Sequence, residues 1–209
     1  MPSVQAATKR APAGVLVVAM ADRRSFPGAT IGGEPAGATA IGNEMATDAA
    51  LIGFKTIGSR VVINPSKRKT SDRELLAHEF THAAMSPLGD GAPTWLVEGY
   101  AEYVERQLAE RRGEGQWLAD ERRKLRRTAI KSLVLPPADD VFYDREDNYG
   151  VSWLIVEHLV NKYGLAKLNA LYADLATARD DATTRDRIFR KHLSLTAATL
   201  AAAVKRGSS

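Results

Sequence analysis

The sequence predicts an α+β fold, a small N-terminal strand lobe followed by a mainly helical lobe, on three observations. The first seventy of the 209 residues alternate short β-branched runs with glycine-rich turns. From Ser71 onward the apolar residues recur at helical spacing. At the junction stands His78-Glu79-Phe80-Thr81-His82, an H-E-x-x-H pattern. The chain is therefore read as one domain over 1–209, with a strand-rich lobe at 1–70 and a metal-bearing helix plus helical lobe at 71–209. The metal site is expected between the two lobes.

The elements follow in order. Gly14 to Met20 is short, β-branched and preceded by Pro12, so it predicts a buried first strand. With Lys9-Arg10 before it and Ala19-Met20-Ala21 at its end, the same run faintly imitates a signal peptide. The strand reading is preferred, and on it the chain as given carries no export signal. Glycine-rich turns follow at Gly28, Gly32-Gly33 and Gly37, then short strand candidates at Ala38 to Ile41 and Ala50 to Ile57. The clearest strand is Ser59 to Asn64, stopped by Pro65. Lys67-Arg68-Lys69 reads as a solvated loop.

Ser71 with Glu74 three residues later is a capping box that starts a helix running to about Met85. Ser86-Pro87 ends it, and Gly89 to Pro93 forms a loop. Thr94 is placed to cap a second helix through about Arg111. A third is expected from about Trp117 to Leu133, before Pro136-Pro137. A fourth spans Asn148 to Tyr163, with Gly164 as its C-cap. Two or three shorter helices finish the chain.

Composition excludes little. Hydrophobic residues at 44% and charged residues at 26% are ordinary for a globular chain, and the absence of cysteine removes disulfides and thiolate metal sites. No run approaches the roughly 20 apolar residues a membrane-spanning helix needs. The net charge of +4 is concentrated between Arg106 and Lys131, densest at Glu121 to Arg127. Without interleaved aromatics this reads as a solvated helical face and not as a nucleic-acid surface. Trp95, Trp153, Leu154, Ile155 and Leu159 read as core. The glycines between Gly28 and Gly42 contain neither a phosphate loop nor a dinucleotide fingerprint.

The H-E-x-x-H segment carries chemistry. Residues four apart share one helix face, so His78 and His82 can bind one ion through neutral imidazoles. Glu98, sixteen positions after His82 in Trp95-Leu96-Val97-Glu98-Gly99-Tyr100-Ala101-Glu102-Tyr103, supplies a third ligand from the next helix. Two imidazoles and a carboxylate leave a position for water, the pattern of a catalytic zinc ion. Such an ion lowers the pKa of its water from 15.7 to about 7. Glu79, beside His78, serves as general base for that water. Glu102, one turn beyond Glu98, is placed to accept the second ring N–H of a ligating histidine, His78 first. Gly99 inside the same helix costs about 1 kcal/mol relative to alanine, which a close approach of the metal helix would justify. One zinc ion is expected, although this ligand set also accepts manganese or cobalt. His158 and His192 read as structural, with His158 the reserve for transition-state contact.

These motifs resemble the gluzincin zinc metallopeptidases, the peptidase-MA-like domains distantly similar to thermolysin and to zinc aminopeptidases. The likeness rests on Leu75-Leu76-Ala77-His78-Glu79-Phe80-Thr81-His82, and on Pro93 to Tyr103, close to the family's P-x-W-L-x-E-G-x-A-E-Y. Tyr149-Gly150-Val151-Ser152 and Lys162-Tyr163-Gly164 add a weaker echo. The resemblance implies a zincin-like fold, His78, His82 and Glu98 as zinc ligands, Glu79 as catalytic base and Glu102 supporting the ligands. It also implies Tyr149 as the donor to the oxyanion formed during attack on a carbonyl. The implied activity is hydrolysis of peptide bonds in a peptide or protein substrate. An endopeptidase is favoured because no acidic cluster offers to capture a free amino terminus. In this kind of fold a peptide adds along an edge strand, here Ala50 to Ile57 or Val61 to Asn64. The alternative is a zincin-like zinc-binding or regulatory module without turnover. An anion- or nucleic-acid-binding helical protein using the Arg122 to Arg127 face is the third reading.

Overall fold

Helix-forming sequence dominates the later chain, and helices make up most of the computed structural model, which describes residues 2–10, 15–19, 30–31, 34–35, 38–48, 53–63, 73–127, 136–179 and 181–207. They divide into two units, Met1–Pro87 and Leu88–Ser209. The division falls after the H-E-x-x-H helix, so that helix groups with the strands.

The first unit contains α1 (Pro2–Thr8), β1 (Val15–Ala19), the two-residue strands β2 (Thr30–Ile31) and β3 (Glu34–Pro35), β4 (Ala38–Asp48), β5 (Gly53–Ile63) and α2 (Arg73–Met85). A three-stranded sheet runs in the order β1-β5-β4. β1 lies parallel to β5, with Val15 opposite Ser59 and Ala19 opposite Ile63. β4 lies antiparallel to β5, from Ala38 opposite Ile63 to Asp48 opposite Gly53, with a register shift around Glu44. Val61 and Val62 are consecutive and both buried. Consecutive side chains of a strand point to opposite faces, so β5 is covered on both sides there.

That topology corrects one expectation. Val61 to Ile63 lies in the middle of the sheet and is no edge. Gly53 to Gly58 pairs with β4, and β1 reaches only as far as Ser59, so among the described residues this stretch keeps one strand neighbour. The described parts of the two strand candidates, Gly53 to Ile57 and Ser59 to Ile63, belong to one strand across Gly58. The opening helix α1 falls within the stretch expected to hold strands and turns, and Pro2–Thr8 carries no apolar period to announce it. It docks through buried Val4, and Arg10 Nε, just past its end, donates to the Ala84 carbonyl of α2 at 3.3 Å. The Ser71 capping box, the glycine turns from Gly28 to Gly37 and the Lys67 to Lys69 loop lie outside the described residues.

The second unit holds α3 (Thr94–Arg111), α4 (Gly115–Arg127), α5 (Asp147–Tyr163), α6 (Leu165–Ala176), α7 (Ala182–Leu193) and α8 (Ala197–Gly207). Asp139–Asp144 forms a 3-10 turn ahead of α5. The central pair is α3 and α5, packed around fully buried Leu96, Tyr100, Trp153, Ile155 and Leu159. Trp95, also buried, stacks on Phe189 of α7 with ring centres 6.2 Å apart. α5 ends as expected at Gly164, whose φ of 84° favours glycine and whose N–H donates to Val160 O at 2.8 Å. The continuation of the third helix beyond Arg127 falls at 128–135, outside the described residues.

Thr94 is not the cap of α3. Pro93 occupies that position without a side-chain cap, and the Asp139 carboxylate accepts the Thr94 N–H at 2.6 Å. Asp139 also receives Arg185 Nη2 at 2.8 Å. A remote carboxylate thus does what the local hydroxyl was expected to do, with the helix dipole favouring its charge. Asp139→Ala is expected to lower stability by about 1 kcal/mol, read as a lower denaturation midpoint with an unchanged denaturant slope. An unchanged midpoint would mean the cap contributes nothing.

The basic run on α4 is partly consumed internally. Arg122 makes a two-pronged contact with Glu157 of α5 at 2.6 and 3.0 Å, while Arg106 of α3 reaches Glu121 at 3.0 Å. Both guanidinium groups lie over the Trp153 ring, 4.6 Å away for Arg106 and 5.1 Å for Arg122. Arg123, Lys124 and Arg127 remain exposed, and Arg123 pairs with Asp120. No helix among the described residues is long and apolar enough to cross a membrane.

Candidate metal centre

Alanine-rich, leucine-containing sequence makes α2 a good helix, and the 3-10 turn Ser86–Leu88 ends it. The helix buries ionisable side chains along with its apolar ones: Glu74, His78 and Glu79 are all under 9% exposed. Such groups are kept in an interior only when paired, hydrogen-bonded or bound to metal. His78 and His82 stand one turn apart on one face. Their ring centres are 4.8 Å apart and the planes meet at 70°. Thr81, between them, turns its hydroxyl inward and donates to Ala77 O at 2.8 Å, which leaves that face to the imidazoles. Glu79 is 5% exposed on the same helix.

In the second unit, α3 buries Glu98 and Glu102 at 8% exposure each. The Tyr143 hydroxyl donates to Glu98 Oε1 at 3.0 Å. Tyr172 lies close enough for the Glu98 charge to act on it: burial first, then that charge, push its phenol well above the ordinary range. Tyr172 therefore stays a neutral O–H. Glu102, one turn on, forms an ion pair with Arg106. Residues of the kind that could hold a metal ion are His78 and His82 in the first unit, and Glu98, Glu102 and Glu105 in the second. The imidazole donors fit a borderline cation such as zinc better than a hard one, which would want oxygen alone.

Gly99 has a different reason from the one its position suggested. A Cβ there would sit 2.6 Å from Ser152 O and 2.7 Å from Ser152 C, so the close neighbour is the backbone of α5. Tyr149 lies in the first turn of α5, its ring 5.1 Å from Phe142 and 6.3 Å from Tyr143. The three form an aromatic group. Sequence reasoning missed Tyr143 altogether, since nothing in a 45-residue separation from Glu98 marks the two as partners. His192 is structural as expected, its Nε2 lying 2.8 Å from Asp174 Oδ2 and so tying α7 to α6. His158 carries a lowered pKa, from burial and then from Lys162.

Set against known proteins, the chain matches no family model, no curated protein and no solved structure.

Proposed function

We propose that this chain is a zinc-dependent metallopeptidase of zincin-like architecture, with His78, His82 and Glu98 holding one ion and Glu79 acting as general base. The observation that carries the proposal is α2 itself. Two imidazoles share one helical face, and a buried carboxylate sits beside the first of them. The choice of Glu98 as third ligand rests on its place in the Trp95 to Tyr103 run and on the burial of its carboxylate in α3.

Bound there, a zinc ion supplies Lewis acidity towards a carbonyl oxygen and a water molecule. The chain's own groups do the rest. Glu79 accepts a proton from the attacking water as the new C–O bond forms, then delivers it to the amide nitrogen as the C–N bond breaks. Tyr149 is assigned as hydrogen-bond donor to the oxygen that gains negative charge. Glu102 is assigned to the second ring N–H of His78, and its ion pair with Arg106 supports a charged carboxylate ready to accept. The substrate is a peptide or protein segment, with an endopeptidase favoured.

The first test is elemental analysis of protein purified without chelator, beside His82→Ala. Wild type is expected to hold about one zinc per chain and His82→Ala almost none, since one of three protein ligands is gone. Wild type that takes up no metal even after zinc is restored would sink the proposal. A protein that holds zinc yet cleaves nothing in a broad peptide library would instead be a zinc-binding module without turnover.

A further inference from the structure

The turn Asp139–Asp144 runs from one clamp on α3 to another. At its start, Asp139 Oδ1 accepts the Thr94 N–H, the first amide of that helix, at 2.6 Å. Near its end, the Tyr143 hydroxyl donates to Glu98 Oε1 at 3.0 Å. Thr94 and Glu98 are four residues apart, so the two clamps lie about one turn apart along α3.

The turn is itself held firmly. Phe142 is fully buried, and the buried amide of Asn148 donates to Phe142 O at 2.8 Å. The Phe142 ring meets Tyr143 and Tyr149 edge-on, with centres 5.3 and 5.1 Å away. Arg185 holds Asp139 from α7. Tyr143 itself is 41% exposed, so what directs its phenol is the fixed backbone together with the O–H bond to a carboxylate, which is directional.

A glutamate side chain has three rotatable bonds, and as a metal ligand it must present one oxygen in one direction. Left unsupported, it would lose that freedom on binding. The bond from Tyr143 to Oε1 restricts how the carboxylate can turn. We propose that Tyr143 is the positioning residue for Glu98, fixing the carboxylate so that it binds the ion through one oxygen. This rests on the reading of Glu98 as a metal ligand.

The test is zinc affinity of metal-stripped protein, measured by competition with a chromophoric chelator. Wild type is compared with Tyr143→Phe, Glu98→Ala and the double variant. Tyr143→Phe removes only the hydroxyl, and circular dichroism checks that each variant is folded. Tyr143→Phe is expected to weaken zinc binding by about 10- to 100-fold, the usual effect of losing a group that orients a ligand. In the Glu98→Ala background the same change should have no further effect, because the group it orients is gone. An equal loss in both backgrounds would mean that Tyr143 acts through general structure, and the proposal falls. Unchanged affinity in Tyr143→Phe, with Glu98→Ala clearly weakened, overturns the positioning role and leaves the metal centre standing. Wild type that binds no zinc, or binds it no more tightly than Glu98→Ala, overturns both.

Discussion

Glu79→Gln is expected to retain zinc and to lose peptide hydrolysis by about two to four orders of magnitude, the range of general acid–base catalysis. Glutamine keeps the size of the side chain and its ability to hydrogen-bond, but it cannot accept a proton from water at neutral pH. Glu79 is 5% exposed, so bulk solvent has little room to replace the lost base. The effect should appear in kcat and in kcat/KM alike, because the proton moves only in the transition state. Metal content is the necessary companion measurement. Unchanged zinc with lost turnover isolates the base. Unchanged turnover would remove Glu79 from the chemistry, and lost zinc would show it acting on the metal instead.

How much of this was readable in the residues depends on the range of the interaction. The C-terminal end of α2 and both ends of α3 fall within two residues of their expected places, because apolar residues at helical spacing, Pro87 and the Pro93-Thr94 start are local signals. The pairing of His78 with His82 was also legible, since it is one helical turn. Gly164 announced the end of α5 for the same reason. What stayed hidden was set by distant partners. Thr94 looked like a cap, yet Asp139, 45 residues away, satisfies the first amide of α3. Val61 to Asn64 reads as a possible edge, yet β1 and β4 pair on either side of its described part, Val61 to Ile63. Tyr149 drew notice by standing at a helix start, whereas the phenol that contacts Glu98 is Tyr143, on a turn with no periodic pattern. Arg122 looked like one more surface charge, and Glu157 and Trp153 draw it inward.

Gly99→Ala should damage the packing of α3 on α5. A glycine in mid-helix is itself a defect of about 1 kcal/mol, so alanine would help if the neighbouring space were open. It is not open, because the added Cβ would fall 2.6 Å from Ser152 O, 2.7 Å from Ser152 C and 2.9 Å from Ser152 Cβ. Two of those atoms are helix backbone, so relief requires α3 and α5 to move apart. Forcing one extra carbon into a packed core costs about 1–3 kcal/mol, enough to outweigh the gain in helix propensity. Separation would also reach the candidate centre, since Glu98 precedes Gly99 and Asn148 of α5 anchors the turn that carries Tyr143. Zinc affinity and melting temperature should therefore fall together. Gly115→Ala is the matched control: nothing lies within 4 Å of its added Cβ. At the first residue of α4 it is expected to be neutral or slightly stabilising. If Gly99→Ala melts with wild type, the two helices are not held together at this point, and the contact between Gly99 and Ser152 would have to be abandoned as the reason for the glycine.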